Sequence, residues 1–373
     1  MRGRKVAVWF AATALFVGIA VVLTGCGGST ATTGTDTGST AAKPLKIALL
    51  LPETKTARYE TQDKPLFEAK VKELAPDAEI LYSNANQDAT EQQSQADAAL
   101  TNGANVLVLD PVDSASAASI VAKAAAQKVP VISYDRLILN AEVDYYVSFD
   151  NEKVGTLQGQ ALLDKLTADG NAGKTIVMIN GSPTDNNATL FKKGAHSILD
   201  GKVKIGAEYD TPDWSPDKAQ TEMDQAITKL GKNGFVGVLA ANDGTGGGAI
   251  AAMKGAGIDP TTRPTTGQDA ELAAIQRILL GEQYMTVYKA IKLEAEAAAE
   301  LAVSLAKGEA VPSSMQLSAV NNGTKDVDSV LLAPVAVMKD NIKDTVVADG
   351  FWTAAQIMTS PELETAGAAV GLQ

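Results

Sequence analysis

From Leu45 onward the chain keeps one rhythm: a short apolar run closed by turn residues, then a longer stretch with apolar side chains at helical spacing, then the same again. The runs at 47–51, 106–109, 129–133, 176–179, 235–240 and 285–288 are rich in Val, Ile and Leu and carry almost no polar alternation. Runs that short and that uniformly apolar predict strands covered on both faces, the signature of a parallel sheet. Between them, 66–74, 91–102, 116–127, 153–166, 219–230, 250–255 and 290–307 place their apolar residues on one helical face. Parallel neighbours need crossover connections, and helices supply them with a right-handed sense. The constraint is therefore an α/β chain with parallel sheets.

Length divides that chain in two. About 330 residues follow the N-terminal segments, more than one typical core organises, which predicts two lobes of ~150 residues. The rhythm passes through the middle without a Gly-, Pro- or Ser-rich linker, so the lobes are expected to share hinge strands.

The N-terminus has its own logic. Arg2, Arg4 and Lys5 precede an apolar run at 6–23 that closes on Leu23-Thr24-Gly25-Cys26. A charged start, a short apolar core and small residues before the cleavage point define a secretory signal, here 1–25 with a lipobox. The run alone would also suit a spanning helix; the position of Cys26 favours the signal. Cys26 is the only cysteine, so it has no disulfide partner in the chain, and a diacylglyceryl thioether accounts for a lone thiol in an exported protein. From 27 to 43 the sequence is almost entirely Gly, Ser, Thr and Ala. Such a stretch buries too little apolar surface to offset chain entropy, so 26–44 reads as the lipidated cysteine and a flexible tether. The formal net charge is −12 and becomes more negative once the basic leader residues leave. That argues against nucleic acid as a partner and against electrostatic adsorption to anionic lipid.

Polar residues recur just past the carboxyl ends of the predicted strands. Tyr134-Asp135-Arg136, the stretch from Asn180 through Asp185 to Asn187, Asn242-Asp243 and Gly267-Gln268-Asp269 all stand there, where open parallel sheets bind ligands. The side-chain types suit a sugar: each hydroxyl both donates and accepts, which asks for Asp acceptors beside Arg, Lys and Asn donors. Arg58-Tyr59 and Trp214 are candidates to grip and to stack on the C–H face of a ring. Singly, Asp243 or Asp269 would more often be a helix cap. Four such tips together outweigh that reading.

With these stretches, and with Lys46-Ile47-Ala48, Ser148-Phe149-Asp150-Asn151, Gly181-Ser182-Pro183-Thr184 and Thr286-Val287-Tyr288-Lys289, the chain resembles the type I periplasmic sugar-binding proteins of ABC importers. The nearest branch is the one for D-xylose and multiple sugars, and the likeness runs from about Leu45 to about Trp352. The resemblance implies two Rossmann-like lobes joined by three crossovers, near Asp150, Lys289 and Asn322. It divides the chain into 45–150 with 289–322 as the N-terminal lobe and 151–288 with 323–373 as the C-terminal lobe. It also implies a sugar site of Arg58, Tyr59, Asp135, Arg136, Asp185, Asn187, Trp214, Asn242, Asp269 and Lys289. Tyr59 stands where close relatives have tryptophan, and Lys192 where some have arginine. The implied partners are a monosaccharide, D-xylose first, and the ABC permease, with the membrane reached through the lipid on Cys26 on the outer face of the cell. A sensory role, handing the sugar signal to a chemoreceptor or two-component system, is the alternative.

No catalytic residue, cofactor or metal is expected. Gly244-Thr245-Gly246-Gly247-Gly248-Ala249 scans as a dinucleotide fingerprint, but Ala241-Asn242-Asp243 separate it from the strand it should close; a glycine-rich helix start close to its sheet is the better reading. The sequence has no G-x-S-x-G and no Walker loop, and the sole histidine, His196, sits inside a helical pattern without ligand neighbours. Asp135 and Asp269 match a glycosidase pair in residue type, yet Arg136 and Lys289 beside them would keep both ionised and leave no general acid. Asp326-Val327-Asp328 lacks the spacing of a calcium loop. A cytoplasmic sugar-responsive repressor of the same fold class would need a helix-turn-helix before Leu45, where leader and tether stand instead.

Overall fold

The computed structural model describes residues 44–372. The expected leader, the lipidated Cys26 and the tether up to residue 43 lie outside the described residues.

In chain order the first lobe runs β1 (Lys46–Leu51), α1 (Lys64–Leu74), β2 (Glu79–Asn84), α2 (Ala89–Thr101), β3 (Val106–Leu109), α3 (Ala118–Ala126), β4 (Val131–Tyr134) and β5 (Tyr145–Phe149). The second lobe follows as α4 (Asn151–Ala168), β6 (Thr175–Asn180), α5 (Asn186–Leu199), β7 (Lys204–Asp210), α6 (Pro216–Leu230), β8 (Val238–Ala240), α7 (Asp243–Gly255), α8 (Leu272–Leu280) and β9 (Met285–Tyr288). The chain then returns to the first lobe as α9 (Ile291–Lys307), β10 (Ser318–Asn321) and β11 (Asp326–Leu332). It ends in the second lobe with β12 (Val335–Met338), α10 (Ala354–Ile357) and α11 (Pro361–Ala368).

The first sheet has seven strands in the order β10-β11-β5-β4-β3-β1-β2, parallel except for β10 against β11. Both faces are covered, which is why β1 reads as a continuous apolar run. Ile47, Leu49 and Leu51 pack with Phe67, Val71, Ala295 and Ala299 on one face, while Ala48 and Leu50 join Ala96, Ile120 and Val121 on the other. In the second lobe β7-β6-β8 are parallel and β9-β12 are antiparallel. The segment 264–269 stitches the two together. Thr266 N donates to Val238 O, Val287 N to Gly267 O, and the Thr266 hydroxyl bonds both the N–H and the carbonyl of Ala240.

The third crossover differs from expectation. Residues 323–332, assigned by sequence to the second lobe, carry β11, which pairs in parallel with β5 from Asp328↔Tyr145 to Leu332↔Phe149. The passage to the second lobe therefore falls between Leu332 and Val335, where Pro334 stands. The reason is the hydrogen bonding: an edge left open on β5 would expose a row of unpaired N–H and C=O groups, and β11 covers it. The chain crosses between the sheets also between Phe149 and α4 and at Lys289-Ala290.

The glycine-rich stretch after β8 is the start of α7, longer than the expected 250–255. A Cβ on Gly248 would stand 2.3 Å from the Pro216 carbonyl oxygen, so glycine is what lets α6 and α7 approach.

Candidate functional site

Both lobes end their strands at one small polar cavity. All the sugar-site residues expected from sequence line it: Arg58, Tyr59, Asp135, Arg136, Asp185, Asn187, Trp214, Asn242, Asp269 and Lys289. Thr56, Phe191 and Gln268 line it as well.

The first lobe builds its wall from charge. Beyond β1 the chain brings Arg58 inward, and its guanidinium is held from behind by Asp63 (Nε–Oδ2 2.9 Å, Nη2–Oδ1 2.6 Å) and by Glu294 of α9 (2.6 Å). Only Nη1 is turned to the cavity side, 3.1 Å from Asp135 Oδ1. After β4 the backbone takes a left-handed step at Asp135 (φ 51°), which costs a residue with a Cβ some strain and marks a position fixed by its surroundings. The surroundings are visible: the Asp135 carbonyl accepts from Tyr146 Oη (3.1 Å), Ser148 Oγ (2.6 Å) and Asn187 Nδ2 (3.0 Å). Its carboxylate accepts from Arg58 and from Tyr59 Oη (3.2 Å). Burial would raise the Asp135 carboxyl, but Arg58, Lys289 and Arg136 hold it well below the usual carboxylate range. Arg136 is almost fully buried. Its Nε lies 3.0 Å from Asp185 and 3.5 Å from Asp110, and its Nη2 donates to Tyr59 Oη at 3.1 Å.

The second lobe builds its wall from helix starts. Asp185 caps α5, accepting from Asn187 N (2.8 Å), and its other oxygen takes the Trp214 indole N–H (3.1 Å). Burial, opposed by Arg136, raises its carboxyl above the ordinary value. Trp214 packs edge to face with Phe191 (centroids 6.3 Å apart) and sits against Gly181, where a Cβ would come within 2.0 Å of the ring. Asn242 caps α7 through Oδ1, which accepts from Thr245 N (2.8 Å). Asp269 caps nothing: Glu271 holds the N-cap position of α8. Instead Asp269 Oδ1 faces Lys289 Nζ at 3.2 Å, and the same ammonium lies 3.5 Å from Asp135. Burial would lower the Lys289 ammonium, yet Asp135 and Asp269 raise it. Lys289 thus stands at a crossover, just past β9, and ties the carboxylates of the two walls.

The lobes also meet without any ion pair. Ser114 N donates to Thr184 O (3.0 Å), Asn186 N to Ser114 Oγ (3.1 Å), and Thr184 Oγ1 to Val112 O (3.3 Å). Asn187 belongs to this set: its Nδ2 bonds Asp135 O across the cleft and its Oδ1 accepts from Asn151 Nδ2 at 2.9 Å.

Two residues weighed from sequence lie elsewhere. Lys192 pairs with Glu208 and Asp210 (both 3.1 Å) outside the cavity, and His196 shares α5 with it, bonded to Asp200 and Glu208. Gln268 was legible only as the middle of its motif, because a glutamine at a strand tip has no charge to single it out. Phe191 shows no signal apart from its place five residues past Asn186, on the helix that the tip opens.

Two α/β lobes crossed three times by the chain, with a buried polar cavity between them, define the architecture of a solute-binding protein. The chain belongs to the periplasmic binding protein family: the family model described as "Periplasmic binding protein domain" matches residues 47–310. It is 40% identical over 321 residues to the D-xylose-binding periplasmic protein of Haemophilus influenzae, covering 85% of this chain and 93% of the relative. It is 36% identical to a multiple sugar-binding periplasmic receptor of Rhizobium radiobacter, covering 72% of this chain and 81% of the relative. Among solved structures it resembles an ABC transporter solute-binding protein from Clostridium phytofermentans with bound β-D-glucose, at 29% identity and a TM-score of 0.76, over 84% of this chain and 99% of that one.

Proposed function

We propose that this protein captures a monosaccharide, D-xylose in preference to other aldoses, between its two lobes and delivers it to an ABC importer from the outer side of the membrane. The observation that carries the reading is the cavity itself: charged acceptors and donors from one lobe face a tryptophan, two asparagines and two aspartates from the other, which is what a ring of hydroxyls needs. The D-xylose-binding relative at 40% identity supports the choice of sugar. A ligand that touches both walls binds the closed arrangement better than an open one, and that differential affinity shifts the equilibrium toward closure. Cys26, lipidated, would hold the protein at the membrane and raise its local concentration near the permease.

Catalysis is not part of the proposal. Asp135 is held ionised by the cations beside it, and Glu294, pushed up to about 8 by burial against the pull of Arg58, stands behind Arg58 and does not line the cavity. Asp185, the cavity carboxyl that burial raises, has its oxygens engaged by Asn187 N, the Trp214 indole and Arg136. Sugar recovered after long incubation should be unchanged.

Calorimetry with a panel of aldoses tests the reading: D-xylose should bind most tightly, glucose and arabinose more weakly, and small-angle scattering should show a smaller radius of gyration with saturating sugar. Binding of an amino acid with no binding of any monosaccharide would overturn it.

A further inference from the structure

Among the described residues, Asp110 Oδ1 and Oδ2, Arg136 Nε, Glu294 Oε1 and Asp269 Oδ1, like Gln268 Oε1, lack a hydrogen-bond partner, but each belongs to a charged group with an opposite charge beside it, which Gln268 Oε1 does not. On the first lobe's wall the cations are matched by carboxylates: Arg58 by Asp63, Glu294 and Asp135, and Arg136 by Asp185 and Asp110. The second wall carries an acceptor without a donor. Gln268 is 3% exposed, lines the cavity, and its Oε1 has no hydrogen-bond partner among the described residues. Its Nε2 reaches only Asp269 Oδ2, at 3.5 Å, the outer limit of a hydrogen bond. Turning the amide over would set its oxygen against that carboxylate, so the orientation with Oε1 unpaired is the one electrostatics favours.

The orphaned oxygen cannot relax away by a shift of the chain. Gly267 is clamped, since a Cβ there would meet Asp243 Oδ1 at 1.9 Å, and its carbonyl accepts from Val287 N (3.0 Å) and Gln158 Nε2 (3.0 Å). The Gln268 carbonyl accepts from Asp243 N (3.0 Å), and Asp269 N donates to Val287 O (2.9 Å). The amide oxygens of Asn151 and Gln158 are unpaired too but do not line the cavity; that of Gln268, on so fixed a backbone, is placed to accept from a molecule bound there.

We infer that Gln268 is a ligand-contacting, specificity-determining residue: its Oε1 accepts a hydrogen bond from one hydroxyl of the bound sugar. The inference rests on the aldose-binding reading above and deepens it. Gln268 thereby distinguishes a sugar that carries that hydroxyl from one that lacks it, a discrimination that arises because the site's own buried group is otherwise left unpaired.

The test is a coupling cycle on the purified protein. Calorimetry would compare wild type, Gln268→Met and Gln268→Ala against D-xylose, 1,5-anhydroxylitol and the 2-, 3- and 4-deoxy derivatives, with thermal unfolding as the check on fold. For wild type, loss of one particular hydroxyl should weaken binding by about fivefold or more beyond its cost in either variant; for the variants that penalty should vanish while the penalties at the other positions persist. A merely structural glutamine would lower all affinities by a common factor and leave the ratios alone, and that outcome, like unchanged D-xylose affinity in both folded variants, overturns the proposal. Wild type that binds no aldose at all would instead sink the function from which the proposal starts.

Discussion

The two walls of the cleft solve the same problem by different physics. On the first lobe, Arg58, Asp135 and Arg136 sit in a buried mesh with Asp63, Asp110 and Glu294, each group orienting the next. On the second, Asp185 and Asn242 are helix caps, and Trp214 is wedged against Gly181. A wall of mutually paired charges is rigid and preorganised, but it is expensive to damage, because removal of one member leaves another charge buried and unpaired. A wall of caps and stacked rings draws its stability from the helices and core beneath it, so a cavity-facing group there can change with less consequence for the fold. The contrast yields different expectations for stability at equal effect on binding.

The largest effects test that contrast directly. Asp135→Ala and Asp269→Ala should each weaken sugar binding by roughly 2–4 kcal/mol, since each removes a charged acceptor and strands donors. Both should also lower the stability of the sugar-free protein, Asp135→Ala the more, by about 3 kcal/mol or more, because it takes a buried partner from Arg58 and Lys289 together, whereas Asp269→Ala takes one from Lys289 alone. Denaturant unfolding of both variants separates the cases; equal losses of stability would erase the distinction between the walls.

Next in size is Gly181→Ala. The added Cβ would overlap the Trp214 ring, and overpacking of this kind costs about 1–3 kcal/mol. The indole must move, so affinity should fall together with the near-ultraviolet dichroism of the tryptophan, while the first wall is untouched. Full affinity in this variant would mean that Trp214 is a core residue and not a stacking surface.

A smaller effect sharpens the first wall's electrostatics. Glu294 has its carboxyl pushed to about 8 by burial, with Arg58 pulling it down and Asp135 and Asp63 adding to the rise. Its native form therefore binds a proton that the unfolded chain releases near the ordinary carboxylate value. The stabilisation is fully present below that ordinary value and is lost as pH rises through about 8. Glu294→Gln mimics the protonated form, so the melting temperature of the variant relative to wild type should climb from pH 6 to pH 9. A difference that stays flat over that range would mean that Glu294 is ionised throughout.

Legibility from sequence followed burial. Inner strands such as β1 and β3 were visible as apolar runs, because both faces are covered. The edge strands β2 and β7, exposed or half-buried along most of their length, alternate too weakly to stand out. β11 was misplaced because its lobe is set by pairing with β5, a contact so distant in sequence that no local pattern encodes it. The site residues were legible because strand tips of an open sheet concentrate polar groups and because the resemblance supplied their roles; the structure gathers them around one cavity. Tertiary geometry alone revealed that Asn187 spends its amide on a cross-lobe bond, that Asp185 orients Trp214 and Arg136, and that Gln268 keeps an oxygen unpaired.

The smallest expected effect lies at Lys192, which tests where the second wall ends. By resemblance this position is occupied by arginine in some sugar-binding relatives, which would bring it to the ligand. In the structure its ammonium instead joins Glu208 and Asp210 beside a separate depression on the far side of the 181–183 loop, and the side chain is about one-third exposed (34%). An exposed pair of this kind contributes between nothing and about 1 kcal/mol to stability, and most of that is screened at physiological salt. Lys192→Ala should therefore leave the dissociation constant for D-xylose within about twofold of wild type and shift stability by a few tenths of a kcal/mol. Its nearest cavity residue on the same helix, Phe191, packs on Trp214 from the inner side, so one turn of α5 offers both faces for comparison. Phe191→Ala should lower affinity where Lys192→Ala does not. A tenfold loss in the lysine variant would place its ammonium at the sugar and extend the second wall by one charged residue, which would remove the contrast between a charged wall and a wall of caps.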